Sequence, residues 1–334
     1  MGGEWDCIHD TDRCRDELLK ICYGVWDHMK NHGDHGVENW ELEWIGFVPG
    51  KRESRRYIGK YVVTENDVNS EGKFADTVAY AGWTMDDHFP QGFYYTEGHP
   101  TIHHPAPERW GLPLRCMISE NIENLTFAGR NISVTHAALS SSRVMATCAV
   151  LGQGLGTAIA QAVKDGCHVS DVEMGRLQQT LMDDDCLLPR FERQVPALSL
   201  NASCSAEVVR DGCDRGEDHV WVGSAGESVC YTFEKDTQIG QIRLVFDSDF
   251  DRPYDNMPCN YPLVQTKYHV PHTLIDAYRI EGESESGETY CIEVGENHQR
   301  LVRHKVDWRV KTVRFVPLTT HGCEKFRLFS FDVR

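Results

Sequence analysis

Apolar positions fall at helical spacing almost from the start of the chain. Leu18, Leu19, Ile21, Cys22, Val25, Trp26 and Met29 recur every three or four residues. Asp10, Thr11 and Asp12 offer N-caps and Asn31-His32-Gly33 a stop, so the pattern predicts an amphipathic helix. Such a helix has to pack on something. Trp40–Val48 reads as a short apolar strand or turn that ends at Pro49-Gly50, and Tyr57–Thr64, rich in β-branched and aromatic residues, as a strand. Phe74–Trp83 reads as a further strand whose small residues let another backbone or a flat ligand approach. The Gly-, Pro- and His-dense stretch from Phe89 to Pro113 predicts an irregular loop, and Leu114–Ile118 and Leu125–Ala128 two short buried strands. Leu139–Val163 predicts one long helix and Ser170–Asp183 a second.

After Pro189 the helical period disappears. Short β-rich runs take over: Val220–Val222, Ser228–Phe233, Ile239–Phe246, Thr273–Glu281, Glu288–Val294, Thr312–Pro317 and Arg327–Val333. Gly, Asn, Asp and Pro separate them, a spacing that predicts an all-β sandwich. The expected organisation is an α+β part over residues 1–186, a linker over 187–202 and a β-sandwich over 203–334.

Composition narrows the function classes. Of 334 residues, 34 are Lys or Arg and 51 Asp or Glu, a net charge of −17. That surface repels phosphate backbones and anionic lipid, so neither nucleic acid nor a membrane surface is expected as partner. No uninterrupted apolar run reaches the roughly 18–20 residues of a bilayer span. The thirteen cysteines are scattered, and none form C-x-x-C, which argues against a zinc ribbon or a dithiol redox motif. They read as reduced thiols of a cytoplasmic protein. Met1–Asp6 lacks the basic start and apolar core of a signal peptide, so cytoplasmic is the default expectation.

Candidate chemistry concentrates between Asn124 and Ala158. Leu125-Thr126-Phe127-Ala128 leads into Gly129-Arg130, a polar turn follows through His136, and a helix is expected to start at Ser140-Ser141-Ser142. Serines there can cap the helix, whose first N–H groups point outward without partners and suit an electron-rich carbonyl edge or an anion. Gly152 and Gly156, four apart, lie on one face and are expected to allow close packing, at about 1 kcal/mol each in helix propensity.

Ala128-Gly129-Arg130, Ser133-x-Thr135-His136, Ser142-Arg143-Val144-Met145 and Gly152-Gln153-Gly154-Leu155-Gly156 together resemble the C-terminal FAD-contacting segment of FAD-dependent oxidoreductases of the glutathione-reductase-like flavoprotein superfamily. The resemblance extends upstream through Arg55-Arg56-x-x-Gly59-x-Tyr61, Glu65-x-Asp67-Val68 and Leu112-Pro113-Leu114-Arg115, and covers roughly residues 10–165. It implies a flavoprotein-like α+β portion ahead of the sandwich and oxidation of a small-molecule substrate by hydride transfer to flavin N5. It also implies flavin contacts from Gly129, Arg130, Ser141, Ser142, Arg143 and Val144, with His136 as a speculative acid or base.

One part of the pattern is missing. Such flavoproteins hold the ADP half of FAD on a strand followed by G-x-G-x-x-G, and no such segment occurs here. Three explanations stand: a truncated chain, a separate polypeptide that supplies the missing N-terminal FAD-binding half, or a chain that has lost flavin. Weak or absent FAD binding is expected of this chain alone.

Other clusters carry less. His99, His103 and His104 lack helical ligand spacing, so no metal is expected there. Asp247, Asp249 and Asp251, with Asp255 and Asn256, lack the glycine and distal glutamate of a calcium loop. Arg55 and Arg56 face opposite ways in a strand. Cys148 has no partner cysteine nearby and reads as a small buried side chain. Sequons at Asn124, Asn131 and Asn201 add little. In the β region, Arg243–Asp249 and Asn297–Leu301 weakly resemble galactose-binding or jelly-roll accessory modules of similar flavoproteins. Trp221, Trp308 and Tyr254 are the aromatics able to stack on sugar rings. The alternative function is a non-catalytic carbohydrate- or protein-binding module built on that sandwich.

Overall fold

The computed structural model describes residues 4–250 and 270–334. The chain divides into two units, residues 1–181 with 186–191, and residues 182–185 with 192–334. The segment expected as a linker, 187–202, is therefore shared: its first part packs in unit 1 and the rest in unit 2. Arg190 donates to the carbonyls of Glu71 and Gly72, both at 2.9 Å, which ties residues 186–191 into unit 1.

Unit 1 opens on α1, Thr11–Asp27, prolonged by a wider π turn over His28–His32 and stopped at Gly33. The helix is where the pattern puts it, but within it only Cys14 is buried. Residues 40–46 form neither helix nor strand, and Tyr57–Thr64 contributes isolated bridges, Gly59 with Ser119 and Val63 with Val134. Helix α2, Glu65–Asn69, is held by a capping box between Thr64 and Asp67. β1, Thr77–Ala81, is followed by β2, Met85–His88, β3, Thr101–His104, and β4, Trp110–Pro113. β1 pairs with β4 and β2 with β3, both antiparallel, so the expected loop over 89–113 holds two strands, β3 and β4, each paired to a strand that precedes the loop. Leu114–Met117 is a 3-10 turn rather than a strand.

The long helix expected over Leu139–Val163 is two helices, α3, His136–Ser142, and α4, Met145–Asp165. Val144 between them is extended, with ψ at 151°. Ser142 Oγ donates back to the Ala138 carbonyl at 3.0 Å, the kind of bond that bends a helix end. The core of unit 1 is α4 laid on β1. A Cβ on Gly154 would stand 2.6 Å from the Val78 carbonyl oxygen, so glycine is required there. Gly152 and Gly156 have nothing within 4 Å, which corrects the expectation that they make the tight contact: two positions along the helix, Gly154 faces the strand instead. α4 closes at Gly166 in the left-handed region, φ 64°. By length and composition α4 would cross a bilayer, yet Leu151, Leu155 and Ala158 are buried in unit 1. α5, Met174–Asp183, completes the helices of this part of the chain.

Unit 2 begins with α6, Ala197–Asn201, and β5, Ser203–Cys204. Its other strands are β6, Trp221–Gly223, β7, Val229–Phe246, β8, Ile275–Glu283, β9, Thr289–Val294, β10, Leu301–Thr320, and β11, Phe326–Val333. They run β6-β11-β7-β10-β8-β9 in one antiparallel ladder, with β5 on β7. Register shifts between Lys305 and Trp308 and between Val310 and Thr312 bend the longest pair. Tyr231 and Phe233 from one half of β7 and Ile242, Leu244 and Phe246 from the other then enter one core, and the unit is the expected all-β sandwich. Beneath it lies a charged network. Arg243, fully buried, meets Asp214 at 2.7 Å, and Arg193 meets Asp332 at 2.7 Å. Burial opposes the charge on Arg193, but Asp214 and Asp332 outweigh it and hold the guanidinium protonated.

Candidate functional site

The break between α3 and α4 builds the site. Thr135 caps α3, its Oγ1 accepting from the Ala138 N–H at 3.4 Å. α4 has no such cap: Val144 supplies no side-chain acceptor, and the first intrahelical bond runs from Cys148 N–H to the Val144 carbonyl at 3.0 Å. The N–H groups of Met145, Ala146 and Thr147 thus have no acceptor among the described residues, and Met145 is 90% exposed. A 21-residue helix presents its positive end to the outside.

The serines do not lead that helix; they close the one before it. Ser141 Oγ donates to the Trp83 carbonyl at 2.5 Å and accepts from Trp110 Nε1 at 3.0 Å. Ser142 Oγ is spent on the Ala138 carbonyl, and both side chains are buried. The expectation that Ser141 and Ser142 cap the long helix is corrected: both hydroxyls are satisfied inside the protein. Arg143 and Val144, by contrast, form the hinge at the open helix end.

A charged cluster lies on one wall of a cavity of about 720 Å3. His136 Nδ1 stands 2.9 Å from Glu53 Oε1, and its Nε2 stands 3.2 Å from Asp87 Oδ1. The bond with Glu53, more than that with Asp87, holds the imidazole above its ordinary pKa against the pull of burial. With a carboxylate on each nitrogen, the ring is an imidazolium that donates both ways. Burial opposes the charge on Asp87, but the bonds from His136 and from the His88 N–H keep its pKa low. Arg143 reaches Glu53 at 3.5 Å and donates to the Asp86 carbonyl at 2.9 Å. Arg52 sits 2.7 Å from His88 Nε2, and burial followed by that cation pushes the His88 pKa down. Trp5, Leu18, Phe89 and Phe93 line the apolar side of the same cavity.

The structure thus brings His136 and Arg143 to one cavity. Arg130, exposed, donates to the Lys51 carbonyl at 3.0 Å and ties the turn to the segment that carries Arg52 and Glu53. Gly129 has φ 103°, open only to glycine without strain, and shapes that turn. Glu53 and Asp87 were missed in the sequence. Their signal was weak: Glu53 is an acid inside a basic run, and Asp87 belongs to an acidic doublet in a hairpin strand.

Other candidates resolve locally. Among the described residues no group of three His, Cys, Asp or Glu stands ready to hold a metal ion. His103 pairs with Asp86 at 3.2 Å and His99 Nδ1 lies 3.1 Å from the Thr101 carbonyl. Asp247 is bound to Arg327 at 2.5 Å, and Asp251, Tyr254, Asp255 and Asn256 lie outside the described residues. Trp308 is buried and stacked with Tyr290 at 5.4 Å between ring centres, so it fills core rather than offering a sugar platform; Trp221 is half-buried.

Comparison with known proteins bears on both units. The family described as FAD dependent oxidoreductase matches residues 4–181. No curated protein matches the chain. Among solved structures, the family 32 carbohydrate-binding module of Streptococcus pneumoniae EndoD is similar, at 12% identity over 42% of this chain and 97% of that one, TM-score 0.31. A family 32 module of Clostridium perfringens NanJ in complex with galactose is 12% identical over 40% and 90%, TM-score 0.27. A Streptococcus pneumoniae fucose binding module is 10% identical over 40% and 88%, TM-score 0.28. Likeness at this level assigns neither ligand nor site to the chain.

Proposed function

The chain belongs to the FAD dependent oxidoreductase family over residues 4–181, and on that premise we propose that it forms the flavin-edge and substrate side of an FAD-dependent oxidoreductase. The observation that carries this is the uncapped start of α4 next to the Arg143 hinge: free N–H donors and a helix dipole suit an electron-rich ring edge, and nothing among the described residues uses them. The residues present fit the ring end of FAD. For the ADP end they do not, because no strand followed by G-x-G-x-x-G occurs. Those contacts come from another polypeptide segment, and affinity of this chain alone for FAD is weak.

Bound at that end, a flavin supplies a two-electron acceptor for the hydride leaving a substrate. The chain's own residues do the rest. The backbone donors of α4 favour negative charge at the ring edge. The cavity holds a small molecule between its apolar wall and Arg52, with Arg143 beside Glu53. His136 takes the proton the substrate releases, once its own ring is neutral, and passes it to solvent, while the ionised Asp87 orients the ring. The carbohydrate- or protein-binding alternative in unit 2 loses Trp308 to the core and gains no opposing observation.

The test is the midpoint potential of FAD saturated with the chain. A positive shift relative to free FAD is expected from donors at the ring edge. An unchanged or more negative potential rejects this reading.

A further inference from the structure

The stretch that reads from its sequence as a short apolar strand or turn, Trp40–Val48, pairs with no strand among the described residues. Trp40 closes a turn on the Val37 carbonyl, and Lys30 Nζ gathers the carbonyls of Val37, Glu38 and Trp40 at 2.6–3.2 Å. Among the described residues, no backbone N–H or carbonyl from Glu41 to Val48 has a hydrogen-bond partner. Most side chains are bare as well: Trp40 is 68% exposed, Trp44 78% and Val48 82%, while Ile45 is half-buried and Arg15 lies 4.7 Å over the Phe47 ring. Two tryptophans and a leucine left in water are costly, the eight residues of backbone beside them are open to pair, and an apolar patch of this kind marks a contact surface.

The order of residues says what kind of contact. In Trp40-Glu41-Leu42-Glu43-Trp44 apolar and acidic residues alternate, so an extended chain would put Trp40, Leu42 and Trp44 on one side and both glutamates on the other. Glu41 and Glu43 are exposed and make no ion pair among the described residues. We propose that residues 40–48 become a β-strand by pairing with a strand of a separate polypeptide that alternates apolar and basic residues, apolar against the tryptophans and basic against Glu41 and Glu43. Main-chain bonds would supply the affinity and the alternation the register. A second copy of this chain fits poorly. Self-pairing sets glutamate against glutamate across the ladder, between molecules that each carry a net charge of −17. This takes up the missing partner of the reading above, but its test contains no flavin, so the two fail separately.

The experiment is hydrogen exchange at the amides of residues 41–48 in the whole chain, alone and with short blocked peptides. One peptide alternates lysine and valine, one alternates glutamate and valine, and one scrambles the lysine–valine composition into blocks. In the chain alone these amides exchange at the rate of open backbone. The alternating lysine–valine peptide slows them by about tenfold or more and shifts tryptophan emission to the blue, while the glutamate peptide does neither and the scrambled one does less. Leu42→Pro, which removes a ladder donor, abolishes the slowing. The inference is overturned by amides already protected in the dilute chain, by protection that grows with chain concentration as the mass doubles, by equal slowing with the scrambled peptide, or by no slowing with any of them.

Discussion

His136 Nδ1 and Glu53 Oε1 lie 2.9 Å apart although 83 positions separate them in sequence. The pair sets the protonation of the cluster. Glu53, more than Asp87, raises the His136 pKa above the ordinary 6.5, so the charged ring persists to higher pH than in a free histidine. A proton-accepting role needs the neutral ring. The rate of substrate oxidation should therefore climb with pH through a value above 6.5. Glu53→Gln removes the main cause of the shift and should move that limb to lower pH; a limb that stays in place assigns it to another group. The stabilising effect of the pairing is present below the ordinary histidine pKa and is lost as pH rises through the raised one. Because the ring is more than half exposed, its contribution is small, under about 1 kcal/mol.

Ser141 is a core hydrogen-bond partner rather than a ring contact. Ser141→Ala leaves the buried Trp110 Nε1 without an acceptor and should lower stability by about 1–3 kcal/mol in denaturant unfolding. Flavin affinity of the folded variant should be unchanged. A folded, stable variant that loses flavin would return the serine to the site.

The glycines of α4 should separate cleanly. Gly154→Ala drives a methyl group into the Val78 carbonyl and should destabilise by about 1–3 kcal/mol. Gly152→Ala meets open space and should stabilise the helix by up to about 1 kcal/mol. Melting temperatures moving the same way for both would contradict the packing of α4 on β1.

How far the fold was legible follows from what each element depends on. α1 and its π turn fill the run between Asp10 and Gly33, because the helical period is local, although the Asp10 carboxylate makes no capping bond. β7 was legible only as two runs. The polar stretch between them looked like a turn, yet Thr237 and Gln238 pair with Val310 and Arg309, since a ladder needs backbone and not apolar side chains. The serines misled for the opposite reason. Ser140-Ser141-Ser142 has the residue types of a cap, and what makes Ser141 interior is Trp83 and Trp110, distant in sequence. Gly129, Arg143 and His136 stood out because the segment carries a family pattern. Glu53 and Asp87 did not, because an acid inside a charged run looks like solvated surface until a histidine folds onto it.

The central claim is that the bare start of α4 receives the electron-rich edge of a flavin. Val144→Asp tests it, since a carboxylate at that position caps the helix and places negative charge where the ring edge would lie. FAD titrated into both proteins and followed by its fluorescence gives the answer. The unsubstituted chain should bind weakly, and the variant should melt higher while binding roughly threefold to tenfold more weakly still. A more stable variant that binds FAD as well as the unsubstituted chain would contradict the account.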